Sequence, residues 1–472
     1  MIYFGYTSYS FNSFDEFEVR LPESSHNDYY VWNHVIPPLI AMNQDKYRIA
    51  PVDVLLERGT SFIFPIELHA SFTEWFEKRL MDSFLDVHIP EKVLNAVRSG
   101  QAKILAMYNE ARTFEYRGPD GGKCFIYDDF LKFTERHRIP SGALWINTEN
   151  VAFHDEYVSW KILRNITRLS QAPFEVRYGD LNLYFMQSIR KLNIRGQNMI
   201  MSNEFKKMEH GFLHTRQRVE IVKLKETVRD FIIRADEIFE TTNPEKLFLC
   251  MNNTYRFHRL SLVVFLELYG YINNSIVSFN MQNPDSIIFN NEVWQSTWEN
   301  IKQKLPMKID DVNLFDNDAH YEPGSALSCD SAGIGIQDDT PYRNVFLNIV
   351  TETLADYGDC EFITEKTWKA VVSCKPFVVL GKPHTLKHLR KLGFKTFSPY
   401  IDESYDECES YPERFVKLCN SVAQIGNMSN EQRDELRKHV VPIIRHNLSV
   451  LATTVPNLER TIYEMADGFY RT

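Results

Sequence analysis

Phe362-Ile-Thr-Glu-Lys-Thr-Trp-Lys369, a short helical run, and then Pro376-Phe-Val-Val-Leu-Gly381 is the stretch on which the fold turns. Thr364 is a good N-cap residue, and Glu365 and Lys366 follow it directly. A helix N-terminus presents free N–H groups and a partial positive charge, so it suits an anion such as a diphosphate. Lys366 adds a point charge there, and Glu365 can accept hydrogen bonds from sugar or ribose hydroxyls. The apolar run Phe377–Leu380 is short and continuous, as expected of a parallel strand buried on both faces. Gly381 ends it and allows a close approach to the backbone. Cap, charged pair, helix, strand and glycine together read as the ligand edge of an α/β unit. An ordinary capped helix with a solvated Glu-Lys pair would carry the same local pattern.

Thr-Glu-Lys-x-Trp followed by Pro-Phe-Val-Val-Leu-Gly resembles the nucleotide-sugar-binding domain of fucosyltransferase-like glycosyltransferases. It is similar above all to soluble viral and bacteriophage members that read FITEKTWK. The resemblance covers the C-terminal domain. It implies an α/β fold of GT-B type: two Rossmann-like domains facing across a cleft, with a C-terminal helix crossing back. It also implies that Glu365 and Lys366 hold the donor's ribose and phosphates, with Thr364 capping the helix and Gly381 beside the ligand.

The strands leading to this motif carry the rest of the expected donor site. Val345-Phe-Leu-Asn-Ile-Val350 reads as a buried strand ending in Thr351-Glu-Thr353, and the resemblance implies that Glu352 lines the donor pocket. Lys246–Met251 reads as another, followed by the loop Asn252–Arg259 and a helix over Leu260–Tyr269. In open α/β sheets ligands bind past the carboxyl ends of strands. Arg256 and Arg259 sit three apart at that helix start and can grip a diphosphate through planar, multi-donor contacts. The family has one such Arg on the donor phosphates, and either residue fits. His258 between them reads as a core or capping residue. Residues 281–340 are irregular and polar. Asp316-Asn-Asp318 is a triplet common by chance in acidic loops, and no metal site is assigned. Met428–Thr472 reads as helical, broken at Pro442 and Pro456.

The first half repeats the alternation. Ala102–Tyr108 and Gly142–Asn147 read as strands joined through a helix over Asp128–His137, a βαβ unit. An inverting transfer needs a carboxylate to take the acceptor hydroxyl's proton, and resembling enzymes place it on the N-terminal domain. Glu110, just past the first of these strands, is the first candidate; Glu149, past the second, and Asp28 follow. The expected division is residues 1–240 for the acceptor-binding domain and 245–430 for the donor-binding domain. Residues 431–472 would then form a helical segment packing back on the first.

The chain has 472 residues, too many for one core. Its net charge of -10 argues against bulk electrostatic binding of nucleic acid. The most basic tract, with Arg190, Lys191, Arg195, Lys206, Lys207, Arg216, Arg218, Lys223 and Lys225, is either a solvated helix face or an acceptor-contacting surface. Seven cysteines, odd in number and without ligand spacing, suit a reducing compartment. No signal peptide and no membrane span is expected, and a cytoplasmic location follows, the host's if the protein is viral.

Together these readings give a metal-independent, inverting glycosyltransferase without a cofactor. It would use a UDP- or GDP-sugar donor and a hydroxyl acceptor, either a glycan or a phage hydroxymethylcytosine in DNA, as in arabinosyltransferases. A sugar-binding or virion protein that keeps the scaffold without catalysis is the alternative.

Overall fold

The structure, a computed structural model, describes residues 1–7, 46–68, 85–86, 88–108, 115–117, 123–148, 157–158, 160–162, 173–178, 244–252, 255–281, 283–307, 342, 344–356, 363–453 and 457–469. Asp28, Glu110, Glu149, Asp316, Asp318 and the basic tract from Arg190 to Lys225 lie outside these residues.

The first unit is a six-stranded sheet. Its strands are β1 (Ile2–Tyr6), β2 (Tyr47–Pro51), β3 (Phe62–Leu68), β4 (Ala102–Tyr108), β7 (Leu144–Thr148) and β8 (Glu175–Tyr178). A small antiparallel pair, β5 (Glu115–Arg117) and β6 (Lys123–Phe125), stands apart from it. The spatial order is β2-β1-β3-β4-β7-β8, and every pairing is parallel. Helices α1 (Val52–Glu57), α2 (Glu91–Arg98) and α3 (Ile126–Arg136) accompany it. Leu144–Thr148 is buried along its whole length, as a parallel strand covered on both faces must be.

The second unit is a four-stranded parallel sheet ordered β10-β9-β11-β12. These strands are β9 (Lys246–Cys250), β10 (Ile276–Val277), β11 (Val345–Thr351) and β12 (Phe377–Leu380). Its helices are α4 (Phe257–Leu268), α5 (Glu292–Lys302), α6 (Glu365–Val372), α7 (Thr385–Lys391), α8 (Tyr411–Gly426) and α9 (Asn430–Thr453). Each unit has its own apolar core. Phe64, Ile104, Phe130 and Ile146 belong to one, and Phe248, Val263, Trp368 and Val378 to the other.

A last helix, α10 (Asn457–Asp467), returns to the first unit. Lys103 Nζ on β4 donates to the Met465 carbonyl at 2.7 Å, and Arg177 on β8 lies 3.5 Å from Glu464. The Tyr47 and Tyr463 rings stand 6.0 Å apart. Two doubly wound parallel units with a crossing C-terminal helix form the GT-B-like α/β architecture expected from the sequence.

Three local expectations change. Helix α4 opens at Phe257, not Leu260, because Arg256 is the extended residue before it (φ -145°, ψ 149°). Pro442 does not break α9. It sits on the exposed face, while Val440, Ile443 and Ile444 around it are buried in the second core, so packing holds the helix through the missing hydrogen bond. For the same reason the return to the first unit begins at α10, not at residue 431: Leu436, Leu448 and Leu451 of α9 still pack on the second core.

Candidate functional site

Both sheets share one strand order, in which the chain starts in the middle, steps to one side and then crosses to the other. The reversal places a crevice outside the carboxyl ends of β9 and β11 in the second unit. Here the loop after β9 leads into α4, and the segment after β11 leads into α6.

Glu352 lies just past β11 and is fully buried. Its Oε1 accepts from the Thr364 backbone N–H at 3.1 Å and from Thr367 Oγ1 at 2.6 Å, and its Oε2 accepts from Thr364 Oγ1. A buried carboxylate is tolerable only when paired or hydrogen-bonded, and this one satisfies the first turn of α6. Glu352, expected to line the donor pocket, spends its carboxylate oxygens on the start of α6. It fixes the helix start against the sheet end, while its backbone N–H donates to the Leu380 carbonyl at 3.0 Å. Trp368, fully buried on α6, anchors the same helix from below.

Thr364 caps α6 as expected, its Oγ1 3.4 Å from the Lys366 N–H. The Lys366 ammonium reaches Thr364 Oγ1 at 3.2 Å and Thr353 Oγ1 at 3.4 Å, hydroxyls from the start of α6 and from the segment after β11. Glu365 is the first residue of the helix. Gly381 follows β12, but a Cβ there would meet Thr385 Oγ1 at 2.9 Å and the Glu352 side chain at 3.5 Å. Its small size serves packing against Glu352; the sequence reading gave that space to a ligand.

On the other side of the crevice, Arg256 precedes α4 and Arg259 lies in its first turn, half-buried and buried respectively. Between them His258 is fully buried. Its Nε2 lies 3.0 Å from the Glu352 carbonyl, and its Nδ1 lies 3.6 Å from Asp356 Oδ1. Burial pushes the imidazole below its ordinary value, opposed by Asp356 and reinforced by the Arg259 charge.

The floor and rim are also tied. Thr351 Oγ1 donates to Asn252 Oδ1 at 2.6 Å, linking β11 to the end of β9. The buried Arg414 guanidinium donates to the carbonyls of Gly381 at 3.0 Å, Glu409 at 3.2 Å, and to those of Cys408 and Ala355. It fastens the segments after β11 and β12 together. Asp406 Oδ1 and Oδ2 accept from the N–H groups of Leu386 and Lys387, so the start of α7 is closed by an internal carboxylate.

The structure thus gathers Arg256, Arg259, Glu352, Thr364, Glu365 and Lys366 at one crevice. Sequence reasoning missed Asp356, Asn252, Thr367 and Arg414 and set His258 aside. The one signal for His258 was its place between two arginines; nothing local marked Asp356.

Profiles of known protein families and a search of curated proteins return no match. Among solved structures, an α,α-trehalose 6-phosphate synthase from Burkholderia multivorans aligns over 98% of this chain and 82% of that one, at 10% identity and a TM-score of 0.35. The fold assignment rests on the strand order itself. Among the described residues, no helix is long and apolar enough to cross a membrane.

Proposed function

We propose that the chain is a glycosyltransferase that draws a sugar from a nucleoside diphosphate sugar bound at the β9/β11 crevice. The convergence there of Arg256, Arg259, Lys366 and the start of α6 carries this reading. As the glycosidic bond breaks, charge develops on the leaving diphosphate, and fixed cations with helix N–H groups stabilise it without reorganising. Lys366 meets the phosphates, one or both arginines grip them, and Glu365 takes the ribose hydroxyls. Glu352 holds the helix that presents them. The motif resemblance to fucosyltransferase-like enzymes supports the assignment and leaves the sugar open.

The base on the first unit is Glu110 by this reading, with Glu149 and Asp28 behind it. The acceptor hydroxyl belongs to a glycan or to hydroxymethylcytosine in phage DNA. A DNA acceptor requires activity that falls steeply with salt; a glycan does not.

The test is thermal stability of the wild type and Lys366→Ala against UDP- and GDP-sugars, since a ligand of the folded state raises Tm with occupancy. A shift with one donor, weakened in the variant, supports the reading. Binding without nucleotide release in the presence of glycan and DNA acceptors favours a sugar-binding protein, and no shift with any donor overturns the assignment.

A further inference from the structure

His258 Nδ1 and Asp356 Oδ1 face each other at 3.6 Å beside the crevice. The Glu352 carbonyl can only accept, so the His258 Nε2 carries the hydrogen. In the neutral ring Nδ1 is then a lone pair, and it points at Asp356 Oδ1, another acceptor, 3.6 Å away. Both atoms are buried, and neither has a hydrogen-bond partner. A buried acceptor facing an acceptor is costly, and one added proton on Nδ1 would turn the clash into a charge-assisted hydrogen bond.

Burial first, and then the charge of Arg259, work against that proton in the free protein. Arg259 on α4 acts on the ring through its charge, and Arg256, just before α4, acts on Asp356. From α8, Arg414 reaches the Ala355 carbonyl beside Asp356, and Tyr411 lies near the Asp356 charge. Burial holds both the Tyr411 phenol and the Cys419 thiol up in their neutral forms. From the α6 side, Lys366 adds a third cation near the crevice. Among these described residues the cations outnumber the carboxylates, which are Asp356 beside the ring and Glu352, whose oxygens are spent on the start of α6. A diphosphate seated against Arg256, Arg259 and Lys366 would offset this positive field.

We infer that the His258–Asp356 pair takes up a proton when a nucleoside diphosphate sugar binds at the β9/β11 crevice, so that donor binding is proton-linked through a positioning residue that need not touch the ligand. This rests on the donor-site reading above. The proton comes from solvent and settles on His258 Nδ1, between the ring and Asp356. The uptake removes part of the charge mismatch between an acidic ligand and an acidic chain. It also locks the segment after β11, whose Glu352 carries α6, against α4, whose arginines hold the phosphates. Release of the diphosphate returns the proton, and the crevice loosens with it.

The experiment is calorimetric titration of the full chain with UDP-glucose and with GDP-mannose, whose diphosphate diesters do not titrate near neutrality. It is run in two buffers of different ionisation enthalpy at about pH 6, 7 and 8. The wild type is expected to show buffer-dependent heats that report fractional proton uptake. Affinity should weaken by about three- to tenfold per pH unit across the window, tenfold being the limit for one linked proton. His258→Gln keeps an amide donor toward the Glu352 carbonyl and should bind with no uptake and no pH dependence. Asp356→Asn is the second variant, with the same expectation, in case the first folds poorly. In the free protein, nitrogen NMR of the imidazole should show the neutral Nε2–H form at about pH 7, converted to the doubly protonated ring on saturation with the sugar nucleotide. Binding without proton uptake, uptake that persists in both variants, or a ring already doubly protonated in the free protein would overturn the inference and leave the donor site standing. No binding of either sugar nucleotide to the wild type at any pH would bring down the donor reading and this inference with it.

Discussion

The two sheets reverse direction at the same point in their strand order, yet the sequence signals at that point differ. In the second, β9 ends at Cys250 and α4 opens at Phe257, and the route from β11 to α6 is also short. In the first, the residues that follow Thr7 (just past β1), β4 and β7 lie outside those described. A short connection has few conformations, so residue types at fixed spacing are enough to place charge at a strand end. In the first sheet Glu110, Glu149 and Asp28 are set by no such spacing, and nothing in the sequence singles one of them out. Under the proposed function, the second sheet fixes the nucleotide and the first selects the acceptor.

The sharpest way to break this division is Glu110→Gln. A positioned general base contributes about 10²- to 10⁴-fold, so transfer should fall by about that much while donor affinity, read by calorimetry, stays put. Near-full transfer would move the role to Glu149 or Asp28. Glu352→Ala attacks the other sheet through its framework. It strands the Thr364 N–H and two hydroxyls in a buried place, and a loss of about 3 kcal/mol in denaturant unfolding is expected, with donor affinity falling as well. Lys366→Ala separates binding from framework: its ammonium is only half-buried and touches hydroxyls. Donor affinity should fall about 30- to 100-fold, as for loss of one charge-assisted contact, with the ligand-free Tm unmoved.

The smallest effect concerns carboxylates remote from the crevice. Burial lifts Glu403 to about 7, partly offset by Thr396, the Phe397 N–H and Arg390. A carboxyl raised in the folded state binds its proton more tightly there than when unfolded. Its stabilising contribution is therefore full below about 4.5 and is lost as pH rises through about 7. His258, lowered by burial, acts the other way and destabilises as pH falls through its ordinary range. A melt series should thus show Tm of the wild type drifting down by a few degrees relative to Glu403→Gln between about pH 5 and 8. Parallel curves would remove Glu403 from the account.

The donor half was legible because its signals are local. Thr364 caps, Phe377–Leu380 is continuously apolar, and two arginines sit three apart at a helix start; each of these is found where the sequence put it. What was not legible needs neighbours distant in the chain. Glu352 looked like a ligand-facing acid, because nothing nearby announces that Thr364 and Thr367 will consume its oxygens. Gly381 looked like room for a ligand, when the room is taken by Thr385 and Glu352. His258 acquires its meaning only from Asp356, brought to it by the β9–β11 pairing. Pro442 was read by propensity alone, which tertiary packing outweighs.

The contact between Lys103 and Met465 spans 362 residues. Ribosomes add about 5–20 residues per second, so about 20–70 s separate the synthesis of β4 from that of the helix that covers its neighbourhood. During that interval the nascent first unit is a sheet without α10, with Tyr47 and the end of Lys103 uncovered. Maturation of this chain is thus timed by its translation: the earliest-made half is finished last.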